Sequence, residues 1–220
     1  MNVIKPEGYL AVPKNGKGPG VLVLHAWWGL NPFFRGLCER LAAEGLVAFA
    51  PDLYHGQVAV TVEEATRLRD SLKDEQAQAD LYAAIDYLRE LEGVSEGGLG
   101  AMGFSLGANF ALGVSGERPQ DIRAVVAFYG TGGGDFASAK AAYLGHFGET
   151  DEWEPLEGVQ WLEGELHKAG RQATFYMYPG TGHWFFEEDR PEAYNAQAAG
   201  LAWERTLRFL KVTLTATTKP

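Results

Sequence analysis

Cysteine is nearly absent: Cys38 is the only one in 220 residues, so no internal disulfide can brace the fold. A lone thiol fits a reducing cytoplasm. Long apolar runs are missing as well, which argues against a bilayer-spanning helix and any membrane partner. Positive charge is scarce, with 19 Lys and Arg against 29 Asp and Glu and a formal net charge of -10. No basic cluster occurs, and nucleic acid is therefore excluded as a partner. The segment from Met1 to Pro6 has neither a continuous apolar stretch nor a small-residue cleavage site, so no secretory leader is expected. Repeats, linkers and low-complexity tracts are also lacking, apart from a short polar tail over about 213–220. What remains is 46% hydrophobic, enough for one large core, and predicts a single α/β domain over residues 1–220.

Along the chain, short apolar runs alternate with amphipathic stretches. Gly8 to Pro13 alternates weakly and predicts an edge strand. Val21-Leu22-Val23-Leu24 and Val47-Ala48-Phe49-Ala50 are continuous branched or apolar runs, the pattern of strands covered on both faces. Between them, Asn31 and Pro32 open a helix through about Ala43, closed by Gly45. Thr61 to Glu92 is helical with a break near Asp74 and an apolar stripe at Leu81, Ile85 and Leu88. Further strands are expected at Leu99–Met102, Ile122–Tyr129, Ala142–Gly148 and Ala173–Tyr178, with helices after Ser105, over Pro155–Ala169 and over Glu192–Leu210. This alternation implies a mostly parallel central sheet with helices on both faces.

Gly103-Phe104-Ser105-Leu106-Gly107 joins an apolar strand to a helix, the context that a nucleophile elbow requires. The sharp turn strains the serine, and glycines on either side spare it collisions with neighbouring backbone. The following helix aims its N-terminal N–H groups at developing negative charge. A bare G-x-S-x-G also recurs by chance, so its partners must decide. Asp151 and His183 sit at the ends of two later strands, and such ends gather at one rim of a parallel sheet. The order Ser, Asp, His is that of α/β-hydrolases. Serine is a poor nucleophile until an imidazole takes its proton, and the imidazole needs a carboxylate on its other nitrogen. Singly, Asp151 reads equally as a helix cap ahead of Pro155, and His183 as a turn residue. Jointly, the three predict a catalytic triad.

Several motifs occur in order: Pro51-Asp52-Leu53-Tyr54, the elbow at 103–107, Gly148-x-x-Asp151, Tyr178-x-x-x-Gly182-His183-x-Phe185 and Glu204-Arg205-Thr206-Leu207-x-Phe209-Leu210. With them the chain resembles the dienelactone hydrolase family, a branch of the α/β-hydrolases, over nearly its whole length. The resemblance implies the α/β-hydrolase fold and a small, usually monomeric enzyme, a dimer remaining open, with no organic cofactor and no metal. Two departures stand out. Better-known members carry cysteine where this chain has Ser105, and a cysteine-activating glutamate where it has Ala26. Losing thiol and carboxylate together is coherent with a serine that relies on His183.

The resemblance and the general α/β-hydrolase pattern place the oxyanion donors at the backbone N–H groups of Trp27 and Leu106. Trp28, Phe33 and Trp184 are candidates for an apolar substrate pocket, and Glu187 stands where the family has a substrate-holding arginine. His25 is expected to hold its loop, and Asp52, Tyr54 and His55 to be structural. The reading is a serine hydrolase cleaving small carboxylic esters or lactones through an acyl-enzyme. A thioesterase or peptidase using the same triad, or a binding protein on a retired hydrolase scaffold, are its alternatives.

Overall fold

The computed structural model describes residues 5–215. Seven strands form one sheet: β1 (Gly8–Ala11), β2 (Gly20–Leu24), β3 (Val47–Pro51), β4 (Leu99–Phe104), β5 (Ile122–Phe128), β6 (Ala142–Gly148) and β7 (Ala173–Tyr178). Their spatial order is β1-β3-β2-β4-β5-β6-β7. Among the described residues only β1 pairs antiparallel, as the edge strand its weak alternation predicts. The helices are α1 (Pro32–Ala43), α2 (Val62–Ser71), α3 (Asp74–Glu90), α4 (Leu106–Glu117), α5 (Leu156–Lys168) and α6 (Ala196–Thr215).

Alternation along each strand sorts the core into two layers. Val21 and Val23 pack with α1 and α6, through residues such as Phe34, Leu37, Ala202 and Leu210. Leu22 and Leu24, pointing the other way, pack with Ile85 and Leu88 of α3, Leu112 of α4 and Leu162 of α5. Helices thus cover both faces, and every residue of β2, β3 and β4 is buried.

Local signals set the helix ends. Asn31 caps α1 by accepting from the Phe34 N–H, with Pro32 in the first turn. Thr61 and Glu64 form a reciprocal capping box at the start of α2. The break expected near Asp74 separates α2 from α3.

One helix differs from expectation at both ends. α6 begins at Ala196, not near Glu192, because the Asn195 side chain accepts from the Ala198 N–H and defines the cap there. It then runs to Thr215, three residues into the stretch expected to be a polar tail, carried by Leu214, which is buried against the sheet. Residues 1–4 and 216–220, which bear on the expected lack of a leader and on the rest of that tail, lie outside the described residues.

Chain order reverses between β2 and β4: the chain passes from β2 outward to β3, then returns to the other side of β2. At this switch point the loops after β2 and β4 diverge and leave a crevice at the carboxyl edge. Residues 25–31 follow β2 and Ser105 follows β4, so the fold itself sets Trp27 and Leu106 side by side.

Candidate active site

Ser105 occupies the turn between β4 and α4 with φ 50° and ψ -112°, a conformation costly for a side-chain-bearing residue. Neighbouring glycines make it possible. A Cβ on Gly103 would strike the Gly107 carbonyl and come within 2.6 Å of the Ala108 nitrogen. One on Gly107 would strike the Leu24 carbonyl and come within 2.7 Å of the His25 oxygen. The Ser105 N–H is held by the Phe128 carbonyl at 2.9 Å, which ties the turn to β5.

The three strand-end residues meet. His183 Nε2 lies 2.9 Å from Ser105 Oγ, and His183 Nδ1 lies 2.8 Å from Asp151 Oδ2. A carboxylate can only accept, so Nδ1 carries the proton and the Nε2 lone pair faces the serine hydroxyl. Both side chains of the His183–Asp151 pair are almost fully buried. Asp151 also has the capping role set against its catalytic one: Oδ1 accepts from the N–H groups of Trp153 at 2.8 Å and Glu154 at 3.0 Å. One oxygen fixes its own loop and the other bonds His183, so the cap and the pairing with the histidine are compatible. Among the described residues, neither the Trp27 nor the Leu106 N–H donates to another backbone carbonyl, which leaves both for a ligand.

The loop after β2 is held from within. His25 is fully buried, with Nδ1 2.7 Å from the Ala26 carbonyl and Nε2 accepting from the Leu53 N–H at 3.3 Å. Burial lowers its basicity and keeps it neutral, as this donor-and-acceptor arrangement requires. His25 is therefore a structural pin. Cys38 is packed inside α1, and burial pushes its thiol up to about 12, so it supplies no thiolate nucleophile.

A cavity of about 170 Å3 opens over Ser105, lined by Trp27, Arg69, Leu106, Trp153, Glu154, His183 and Trp184. A larger hollow of about 390 Å3 between α3 and α4 contains no serine, cysteine or histidine, and in another of about 400 Å3 Ser71 donates to the Leu68 carbonyl while His55 pairs with Glu7 and Asp80, so chemistry rather than size marks the site. Of the four candidate pocket residues, Trp184 lines the cavity and three do not. Phe33 is buried in edge-to-face contact with Phe34, Phe104 and Phe186. Trp28 lies behind Trp27 and Trp184, with the Arg190 guanidinium 3.6 Å from its ring centre.

Glu187 is the clearest correction. It is fully buried, and its Oε1 accepts from the Tyr129 hydroxyl at 2.7 Å. Burial, with Asp189 close by, pushes its carboxyl up to about 8 against the opposing pull of the Tyr129 bond and Arg190. It cannot meet substrate charge because the turn after His183, with Trp184 at φ 61° and the Glu187 N–H bonded to the Trp184 carbonyl, folds it inward. Arg69, Trp153 and Glu154 were not singled out in the sequence. Trp153, two residues past Asp151, carried a usable signal, an aromatic residue in the acid-bearing loop. Arg69 carried none, since only tertiary packing brings α2 to the rim.

Comparison with known proteins agrees with this architecture. The profile of the Dienelactone hydrolase family matches residues 7–214. "Protein usf" of Aquifex pyrophilus is 34% identical over 97% of this chain and 96% of its own. A "Putative carboxymethylenebutenolidase" of Aquifex aeolicus is 31% identical over the same shares of the two chains. Among solved structures, a "Putative Dienelactone Hydrolase" of Klebsiella pneumoniae superposes with a TM-score of 0.83 at 28% identity, covering 93% of this chain and 92% of the other. Together with the seven-stranded sheet and the elbow at its switch point, these matches identify the chain as a member of the dienelactone hydrolase family, with the α/β-hydrolase fold.

Proposed function

We propose that this protein hydrolyses small carboxylic esters or lactones through an acyl-enzyme on Ser105. One observation carries the reading: the unbroken relay from Ser105 Oγ to His183 to Asp151, at 2.9 and 2.8 Å, on a serine held at φ 50°. His183 Nε2 takes the hydroxyl proton as Oγ attacks the carbonyl carbon. The oxyanion accepts from the Trp27 and Leu106 N–H groups, with the positive end of α4 behind it. Collapse breaks the ester C–O bond, and the leaving oxygen takes the proton from His183. Water then repeats the sequence, releasing the carboxylic acid and restoring Ser105.

Nucleophile, base and oxyanion donors all come from the chain, so the scheme uses neither metal nor organic cofactor. The same triad is chemically able to cleave thioesters or amides, and family membership favours the oxygen ester. The single buried thiol suits a reducing cytoplasm, and no helix among the described residues is long and apolar enough to cross a membrane. We place the enzyme there, as a single-domain monomer acting on a diffusible small molecule. A fluorophosphonate probe should label the parent protein and fail to label Ser105→Ala. Equal labelling of both would remove Ser105 as the nucleophile.

A further inference from the structure

We propose that the cavity over Ser105 is an aryl subsite, which holds a phenyl-sized ring on the alcohol half of an ester against Trp27, Trp153 and Trp184. The inference rests on the ester-hydrolysis reading and specifies its substrate class. Trp27 and Trp153 have ring centres 5.2 Å apart, Trp153 and Trp184 5.8 Å, and Trp27 and Trp184 6.3 Å. Half of the chain's six tryptophans thus converge on one small opening. Trp153 is 53% exposed, so an indole at the mouth keeps open the apolar surface that a bound ring would cover.

Volume and charge narrow the occupant. The cavity measures about 170 Å3, and an apolar cavity of about 150 Å3 accommodates benzene. A long acyl or alkyl chain exceeds it. Arg69 on the wall opposes a cationic head group, while Glu154, together with the Asp70 carboxylate 2.5 Å from the Arg69 guanidinium, opposes an anionic one. A neutral planar ring meets neither penalty and gains from the indole faces.

Geometry also selects the half of the ester. The His183 ring lies 4.8 Å from Trp184 and 6.4 Å from Trp153, centre to centre. His183 is the group that hands its proton to the departing oxygen, so a group resting against these indoles belongs to the alcohol. In the acylation step the acyl–oxygen bond of a benzyl ester breaks, the acyl group stays on Ser105, and benzyl alcohol leaves with the His183 proton.

Ligand-observed NMR titration of Ser105→Ala, which removes turnover, compares benzyl alcohol with cyclohexylmethanol, a saturated match in size. Benzyl alcohol should bind about 3–10-fold more tightly, the range expected of aromatic contacts beyond simple burial. The preference should fall toward unity when Trp153→Leu is added and persist with Trp184→Phe, which keeps a ring. Equal binding of the two alcohols, no binding of benzyl alcohol, or a preference unmoved by Trp153→Leu overturns the inference. With the parent enzyme, kcat/KM for benzyl acetate should exceed that for cyclohexylmethyl acetate, and a preference for the saturated ester or a choline ester overturns it. If no ester is turned over while benzyl alcohol still binds selectively, the aryl subsite stands and the esterase reading falls.

Discussion

The Tyr129 hydroxyl donates to Glu187 Oε1 across 2.7 Å, while the Tyr129 ring lies 5.0 Å from the ring of His183. A buried carboxyl is thereby tied to the end of β5, and with it the turn that carries the histidine. Its position changes what it does: an acid that sequence position offered to the substrate is instead a strut inside the protein.

That strut makes stability depend on pH. The Glu187 carboxyl, ordinarily at 4.5, is pushed up to about 8 in the fold, so between those values the folded state binds more protons than the unfolded chain. Its contribution is complete below 4.5 and is lost as pH rises through about 8, with a slope of at most about 1.4 kcal/mol per pH unit for one group. His146, fully buried and lowered to about 3 by burial, acts oppositely, adding stability as pH rises from 3 toward 6.5. The interval from 6.5 to 8 is therefore where the Glu187 slope stands clear of that of His146. Urea unfolding of the parent should lose stability across it, and Glu187→Gln should flatten that loss. Identical pH slopes in the two proteins would refute the assignment.

Asp151→Asn tests the divided role of the acid. The amide keeps one oxygen, able to accept from Trp153 and Glu154, but no longer holds His183 in the tautomer that faces Ser105. The corresponding change in a serine protease lowers kcat about 10⁴-fold. A loss of that order is expected here, with a thermal midpoint close to that of the parent. Loss of stability in step with activity would mean that capping, not histidine orientation, is the main role of Asp151.

Strain at Ser105 is separable from its proposed chemistry. Ser105→Ala and Ser105→Gly should both abolish acyl transfer, yet only glycine adopts φ 50° and ψ -112° without penalty. The glycine variant should exceed the alanine variant in stability by about 1 kcal/mol, at the lower end of the cost of such backbone conformations. Equal stabilities in denaturant would show that the turn is not strained in solution.

How much of this was legible in the sequence follows from the range of the forces involved. The strands were readable because Val21–Leu24 and Val47–Ala50 must be apolar on both faces, and α1 because Asn31 and Pro32 act locally. The meeting of Ser105, Asp151 and His183 was readable because a parallel sheet gathers strand ends wherever the intervening chain goes. Glu187 was misplaced because counting from His183 takes no account of the turn at Trp184, whose positive φ sends the next residues inward. The end of α6 was misplaced because Thr213 and Thr215 are polar while Leu214 between them finds the core. Arg69 reaches the rim by the packing of α2, which no local pattern encodes.

The same substitution at two glycines should act with opposite sign. Gly36 lies within α1, on its exposed side, and a Cβ there meets nothing within 4 Å. Gly36→Ala should stabilise the protein by about 0.5–1 kcal/mol through helix propensity and reduced freedom of the unfolded chain. Gly107 lies in the first turn of α4, where a Cβ meets the carbonyls of Leu24 and His25 at the end of β2. Those are backbone atoms of the last residue of β2 and of the buried residue after it, so no rotamer change relieves the clash and the helix must move outward. The cost should be at least about 1–3 kcal/mol, the usual range for forced overpacking. Moving α4 also carries the Leu106 N–H away from the Trp27 N–H, so Gly107→Ala should lower kcat even in the fraction that stays folded. Gly36→Ala should leave kcat unchanged. Thermal unfolding and active-site-titrated turnover of the two variants provide the check. A Gly107→Ala protein with parental stability and parental kcat would mean that the elbow does not need the close approach of α4 to β2.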